Sequence, residues 1–315
     1  MPLPSDERIL ALSERLIEQF DTIFGLHPGF RPAHAKGALL KGTFWSAPGA
    51  LSLSKAPHFE RAFTPVTVRF SNSTGVPLIP DNDPNANPRG MAIRFNLAEH
   101  VHTDIVSHST DGFPTHTGGE FLEFLKAVAA SGPGVASPTP IEQFLGTHPA
   151  ALAFVQAPKP APVSFATEAF FGVTAMEFIN AEGTRQFGRY RIVPEAGVEH
   201  LNDEATKVAA ADYLFAEIRE RVAAGPMKFK LTVQLAAPGD VVADATIHWP
   251  EDRAVFELGT LELASMVPDD AEEQRKIIFD PIPRVEGIEP SEDPLLELRA
   301  AVYLISGRRR RAAGA

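Results

Sequence analysis

The chain of 315 residues contains no cysteine. This absence excludes disulfides, thiolate metal sites, iron–sulfur clusters and cysteine nucleophiles. Histidine, aspartate, glutamate, tyrosine and methionine remain as side chains that can bind a metal. Tyrosine and tryptophan are also scarce, with three and two copies against 22 phenylalanines. Any chemistry that needs a phenol therefore has few candidates.

Long apolar runs and an excess of positive charge are missing as well. No stretch approaches about 18 consecutive apolar residues, so no transmembrane helix is expected. Residues 1–24 lack the basic region and cleavage site of a signal peptide, which predicts a cytoplasmic protein. The net charge of −11 argues against a nucleic-acid partner, because phosphate binding requires a basic surface. We expect one domain over residues 1–315.

The N-terminal segment has helical periodicity. Ser5 is placed to cap a helix that Gly25 ends, and apolar residues recur between them: Ile9, Leu12, Leu16, Phe20 and Ile23. We interpret residues 1–25 as a helical arm that serves packing only.

In the rest of the chain, apolar and polar residues alternate in many short runs, as they do in β-strands. Strands are predicted at 66–71, 91–95, 187–192, 228–235 and 255–266, with a bulge near Gly259. The sequence further predicts helices at 120–130, 205–224 and 295–305, a turn-rich loop at 77–90 and a long connection at 131–163. Many strands without a β-α-β rhythm indicate an α+β fold with an antiparallel sheet or barrel and added helices.

Two sets of residues near the first strands could carry chemistry. His34 lies between two alanines at the opening of a β run, where it is either a structural histidine or a proton shuttle. Arg69 and Ser71 share one face of the strand at 66–71. That face is either solvated or the inner face of a barrel that holds an anionic ligand.

Arg299 and Tyr303 are neighbours on one helix face. A phenol, with a pKa near about 10, binds a metal only when a cation favours the phenolate. Packing is the alternative. The histidines at 100, 102, 108 and 116 match no compact metal motif, so no dedicated site is expected there. The arginines at 308–311 are either a nucleic-acid tail or have local partners inside the fold.

Several segments in order resemble the catalase family. They are 31–37 (RPAHAKG), 64–71 (TPVTVRFS), 88–95 (PRGMAIRF), 244–263 and 279–303, the last carrying an arginine four residues before a tyrosine. The resemblance covers residues 27–310 and is closest to the small catalase-related peroxidases. It implies a catalase-like barrel with surrounding helices that binds haem b through its iron.

The resemblance also implies roles for individual residues. Tyr303 would be the iron ligand, as in the tyrosine-ligated haem of catalase, with Arg299 stabilising its phenolate. His34 would be the acid–base catalyst and Ser71 its orienting partner. Arg31, Arg69 and Arg310 would bind the haem propionates, and Phe121 would lie over the porphyrin. Other residues implied to contact the cofactor are Ala33, Gly90, Val106, Phe113, Leu295, Val302 and Ser306.

His108 departs from the family pattern. It stands where the family has a distal asparagine, and a histidine is bulkier and can change charge between pH 5 and 8. This difference puts efficient hydrogen peroxide dismutation in doubt and makes His108 a third candidate catalytic residue.

The function that the resemblance implies is a haem peroxidase. It would reduce hydrogen peroxide or organic hydroperoxides with a small-molecule reductant and have weak catalase activity. One alternative is a hydroperoxide-rearranging enzyme of the allene oxide synthase type. The other is a non-catalytic protein that binds haem or a hydrophobic ligand. The sequence leaves open whether the chain forms a homo-oligomer.

Overall fold

Ten β-strands run through residues 3–313, the part of the chain that the computed structural model describes. They are β1 Gly37–Ser46, β2 Phe63–Ser71, β3 Gly90–Ala98, β4 Val101–His108, β5 Phe170–Phe171, β6 Met176–Ile179, β7 Arg185–Pro194, β8 Met227–Leu235, β9 Val255–Met266 and β10 Ile288–Pro290. Their order is β10-β6-β7-β5-β4-β3-β2-β1-β9-β8, and β7 also pairs with β8. Eight strands therefore close into an antiparallel barrel, from which β6 and β10 extend. The predicted fold is confirmed.

Phenylalanine fills the interior of this barrel. Phe44, Phe70, Phe95 and Phe229 are fully buried on four different strands. The ring centroids of Phe44 and Phe95 are 5.1 Å apart and those of Phe70 and Phe229 6.0 Å, ordinary distances for packed aromatic rings. The interior is thus a packed aromatic core.

Helices surround the barrel. They are α1 Glu7–Phe24, α2 Ala50–Leu53, α3 Pro57–Glu60, α4 Gly118–Ala129, α5 Pro140–Thr147, α6 Pro149–Gln156, α7 Asp203–Val208, α8 Tyr213–Ala224, α9 Asp270–Lys276 and α10 Leu295–Ala312. Helices α1, α4 and α10 share a small apolar cluster that is separate from the barrel core: Leu16, Leu122, Leu125 and Leu298. Within residues 3–313, no helix is long and apolar enough to span a bilayer.

The predicted 205–224 helix is wrong, because residues 209–212 separate α7 from α8. Residues of the loop at 77–90 form hydrogen bonds with the backbone at this break. Asn82 Nδ2 donates to the carbonyl of Ala209 at 2.9 Å, and the amide of Asp81 donates to the carbonyl of Ala211 at 2.8 Å. A carboxylate oxygen of Asp81 accepts from the amide of Leu214 at 3.0 Å. These tertiary hydrogen bonds replace the helical ones.

Other boundaries shift for local reasons. Asp6 caps α1 in place of Ser5, since its carboxylate accepts from the Arg8 amide at 2.8 Å. The predicted connection at 131–163 contains α5 and α6, each with proline at its start. The bulge near Gly259 is confirmed, because Leu231 pairs with Gly259 and Thr232 with Glu257, leaving Leu258 as the extra residue.

Phe70→Ala should lower the free energy of unfolding by about 3–5 kcal/mol, because it opens a cavity inside the barrel. Phe63→Ala is the matched control on the same strand, where the ring is 55% exposed. The control should change stability by less than about 1 kcal/mol. Urea unfolding measures both, and equal losses would show that the phenylalanine core does not hold the barrel.

Candidate functional site

A cavity of about 230 Å³ lies outside the barrel, between the outer face of β2–β4 and helices α1, α4 and α10. It brings together every residue that the sequence analysis assigned to the site: Arg31, Ala33, His34, Arg69, Ser71, Gly90, Val106, His108, Phe113, Phe121, Leu295, Arg299, Val302, Tyr303, Ser306 and Arg310. Their chemical roles stay predictions.

The same cavity has walls that the sequence analysis missed: Leu16, Phe20, Pro32, Met91, Ala92, Ser107, Ile278, Phe279 and Leu298. Leu16 and Phe20 lie on α1, for which packing only was predicted. Apolar residues at helical spacing give the same signal whether they face a core or a ligand. Ala92 could have been found, because alternation puts it on the same strand face as Gly90.

The strand register builds the sheet wall of the cavity. Side chains that point outward form two rows across β2, β3 and β4: Ser71, Gly90 and His108 in one, Arg69, Ala92 and Val106 in the other. Arg69 and Ser71 are each only 4% exposed. Both interpretations of their strand face, a solvated surface and the barrel interior, are therefore wrong. They face a cavity that the helices cover.

His34 lies in the loop before β1 and not on a strand as predicted. Its φ of +57° is a left-handed conformation that non-glycine residues rarely adopt and that costs about 1–3 kcal/mol. Hydrogen bonds hold both sides of this residue. Its amide donates to the carbonyl of Ser73 at 2.7 Å, and its carbonyl accepts from Arg69 Nη2 at 2.9 Å. These hydrogen bonds fix the backbone of His34 and therefore the position of the Cβ that carries its imidazole.

The imidazole of His34 is positioned by Ser71 and Gly90. His34 Nδ1 lies 3.1 Å from Ser71 Oγ, within hydrogen-bond distance. A Cβ at position 90 would lie 2.5 Å from Ser71 Oγ and 2.9 Å from His34 Nδ1, so only glycine leaves room for this pair. Burial and, as the second cause, the charge of Arg69 together lower the pKa of His34 to about 4.

His108 ends β4 and also faces the cavity. Its Nδ1 accepts from the amide of Thr110 at 3.3 Å, so the neutral ring carries its proton on Nε2. Burial, followed by the charge of Arg299, lowers its pKa to about 3. The expectation that this histidine changes charge between pH 5 and 8 is therefore wrong. It is a neutral donor over that range.

Helix α10 forms the wall opposite the strands. Arg299 Nε donates to Tyr303 Oη at 3.2 Å, which confirms that the two side chains are neighbours. The guanidinium thus places a positive charge beside the phenol oxygen, where it stabilises negative charge. α10 also continues past the predicted end at 305. Gly307 allows it to do so, since a Cβ there would meet Ile278 Cδ1 at 2.2 Å.

Three guanidinium groups, those of Arg31, Arg69 and Arg310, lie at one end of the cavity. Burial lowers the pKa of Arg69 to about 9 and of Arg310 to about 10. Burial and the charge of Arg69 lower the pKa of Arg31 as well. No carboxylate of residues 3–313 lies within 4.0 Å of them, and Asp270 acts on Arg31 and Arg69 only from farther away. Buried cations without an acidic partner fit an anionic ligand.

Two further arginines of the C-terminal run have local partners. Arg309 pairs with Asp21, and Arg311 donates to the carbonyl of Lys276. The prediction of local partners inside the fold thus holds for Arg309 and Arg311, whereas Arg308 is exposed. The histidines at 100–116 do not converge, and within the described chain no group of three or more His, Asp or Glu side chains is placed to hold a metal ion.

Comparison with known proteins decides the family. The sequence model described as Catalase matches residues 28–314. The chain belongs to the catalase family. As a member of this family it is an oxidoreductase that acts on peroxide, as the sequence predicts.

Two similar relatives are named catalase-related peroxidase. The one from Mycolicibacterium paratuberculosis is 35% identical over 287 residues, covering 90% of this chain and 89% of the relative. The one from Synechococcus elongatus is 31% identical over 302 residues, covering 94% and 88%.

Solved catalases share the fold. A fungal catalase superposes with a TM-score of 0.78 at 22% identity, covering 89% of this chain and 59% of that chain. Catalase A from Saccharomyces cerevisiae gives 0.78 at 21% identity, covering 89% and 61%. This chain thus matches about 60% of the length of those two proteins.

The depressed pKa of His108 predicts a pH dependence of stability. The unfolded ring binds a proton below pH 6.5 while the folded ring stays neutral to about pH 3, so stability falls as the pH is lowered from 6.5. His108→Asn should remove this contribution, up to about 1.4 kcal/mol per pH unit. His100→Asn is the control, since that side chain is 94% exposed. Urea unfolding of the ligand-free protein between pH 7.5 and 4.5 measures the slopes. Indistinguishable slopes for wild type and His108→Asn would contradict the burial of a neutral ring.

Proposed function

We propose that the chain is a haem-dependent peroxidase that reduces hydrogen peroxide or organic hydroperoxides with an external small-molecule reductant. One observation carries this proposal. A single cavity joins the His34–Ser71 pair on the strand side to the Arg299–Tyr303 pair on α10. The imidazole can transfer a proton, and the guanidinium stabilises the phenolate form of the tyrosine, which can bind a metal. Cleavage of a peroxide at a metal site needs both functions.

The residues present fit haem b. Catalase family members generally bind haem. Gly90 and Ala92 put the smallest side chains in the middle strand of this wall, which gives a planar ring room to approach it. The three arginines at one end match carboxylates such as propionates, and Tyr303 offers the only phenol that lines the cavity among residues 3–313. When bound, haem b would supply the iron whose redox chemistry breaks the peroxide O–O bond.

His34 would move the proton that this cleavage requires. With Nδ1 engaged by Ser71, the proton-transfer atom is Nε2. The ring is neutral near pH 7 because its pKa lies at about 4. It can therefore take the proton from one peroxide oxygen and return it to the other, which leaves as water or an alcohol. Ser71 fixes the ring, and Gly90 gives both groups their space.

His108 would hold the peroxide beside His34. Its Nε2–H is a hydrogen-bond donor of fixed tautomer. The distal asparagine that the family resemblance implies at this position also offers a donor, but on a smaller side chain. The bulk of the imidazole restricts the approach of a second hydrogen peroxide, whereas a reductant outside the cavity is unaffected. We therefore propose weak oxygen release beside stronger peroxidase turnover.

Product analysis tests this proposal against its alternatives. Purified protein loaded with haem is given a fatty-acid hydroperoxide and a phenolic reductant. A peroxidase yields the alcohol and oxidised phenol. A rearranging enzyme of the allene oxide synthase type yields an epoxide and water without consuming phenol, and a binding protein yields neither product. Either of the last two results would overturn the peroxidase assignment.

Tyr303→Phe should lose most haem, because the variant keeps the ring but removes the ligand oxygen. Tyr213→Phe is the matched control; its hydroxyl donates to the carbonyl of Pro162 and does not line the cavity. The haem-to-protein absorbance ratio after purification measures the effect. Full haem content in Tyr303→Phe with an unchanged spectrum would show that another group holds the iron.

His108→Asn should raise oxygen release relative to reductant oxidation, because it restores a compact amide donor. An increase of about tenfold in the ratio corresponds to about 1.4 kcal/mol of relative barrier height. An oxygen electrode and a dye assay on the same preparation give the two rates. Vigorous oxygen release by the wild type, unchanged in the variant, would be incompatible with this role of His108.

A further inference from the structure

A second cavity of about 300 Å³ adjoins the arginine end of the first. It lies between the end of α1, the loop at 25–32 and the last turns of α10. The two cavities share Arg31, Pro32, Ser306 and Arg310 as walls. A ligand in the second cavity would therefore lie against the edge of anything bound in the first.

The arginine end of the first cavity, where Arg31 and Arg310 also line the second cavity, carries more positive charge than haem b would neutralise. Arg31, Arg69 and Arg310 carry three guanidinium charges, while haem b carries two propionates. Arg309, which lines the second cavity, is already neutralised by Asp21. Arg310 is 3% exposed and its Nε has no hydrogen-bond partner within the described structure. A single further anion would complete the electrostatics of this wall.

The outer side of the second cavity is apolar. Leu26 is 63% exposed and Phe30 50%, both on the loop that forms its rim, and Pro28 and Pro32 add flat aliphatic surface. Proline and phenylalanine faces pack well against a planar ring.

We propose that the second cavity is the reductant site and that it takes a small phenol carrying a carboxylate. This inference rests on the proposed peroxidase function. The carboxylate binds the shared arginines, and the ring packs against Phe30. The phenol is thereby held at the edge of the first cavity without entering it.

The reaction balances with peroxide as the oxidant. Two phenols each give up one electron and their hydroxyl proton and leave as phenoxyl radicals. The two electrons and two protons break the O–O bond of the peroxide, which becomes an alcohol and water, or two waters from hydrogen peroxide. No other co-reactant is required.

Two variants test the site without touching the haem cavity. Ala312→Trp adds a bulky ring to the wall of the second cavity, and Phe30→Ala removes the packing surface; of the two cavities, both residues line only this one. Arg308→Trp is the matched control on the same helix, because Arg308 is exposed and lines neither cavity.

The measurement is binding of 4-hydroxycinnamate to the resting, haem-loaded protein by equilibrium dialysis, together with steady-state kinetics. Ala312→Trp and Phe30→Ala should raise the Kd and the KM for this probe by about tenfold or more, a loss of about 1.4 kcal/mol. The haem spectrum and the KM for hydrogen peroxide should not change. Arg308→Trp should match the wild type, and the uncharged amide of the probe should bind weakly to all four proteins.

The outcomes separate the two proposals. If the wild type oxidises the probe and neither variant alters its Kd or KM, the reductant site is wrong and the peroxidase function stands. Equal binding of the acid and the amide would also overturn the site, because the arginines would then play no part. If the probe binds in the expected manner but is never oxidised at the expense of peroxide, the peroxidase function fails and the reductant role fails with it.

Discussion

Along β2 the side chains alternate between two environments, and both the barrel and the site depend on this alternation. Phe70 points inward to the phenylalanine core, while Arg69 and Ser71 point outward into the cavity. The register with β3 and β4 then aligns Ser71 with Gly90 and His108. A shift of one residue in β2 would bury Arg69 among phenylalanines and expose Phe70. The core therefore fixes the register on which the site is built.

The site in turn stores unfavourable energy that the rest of the fold has to offset. His34 keeps a left-handed backbone, and Arg69 and Arg310 are buried without an ion pair among residues 3–313. Such features persist only where surrounding structure determines them. Arg69 is part of both features, because it is one of the buried charges and its guanidinium donates a hydrogen bond to the carbonyl of His34. Removing the charge at Arg69 would release electrostatic strain and also free the loop that carries His34.

Much of this could be predicted from the sequence, and the failures have physical causes. Strand alternation and the Arg299–Tyr303 spacing are local signals, so the barrel and the residues of the site followed from them together with the family resemblance. Alternation alone did not predict that the polar face of β2 lines a covered cavity, because this depends on which side of the barrel the helices pack against. The break between α7 and α8 depends on hydrogen bonds from a loop more than 100 residues away in sequence. The contribution of Leu16 and the second cavity require knowledge of how α1 meets α10.

One end of the first cavity is neutral and the other is positively charged, and the charge of Arg69 at the positive end affects the pKa of His34 at the neutral end. Burial keeps the imidazoles of His34 and His108 neutral, and a neutral imidazole can accept or donate a proton. The guanidinium groups at the other end fit an anionic ligand. The charge of Arg69 is the second cause, after burial, of the low pKa of His34. A carboxylate bound to Arg69 would cancel part of that charge at the ring, so the basicity of His34 would rise when the anion site fills. The increase would be partial, because burial remains. The geometry would thus link ligand binding at the arginine end of the cavity to the basicity of His34 at the other end.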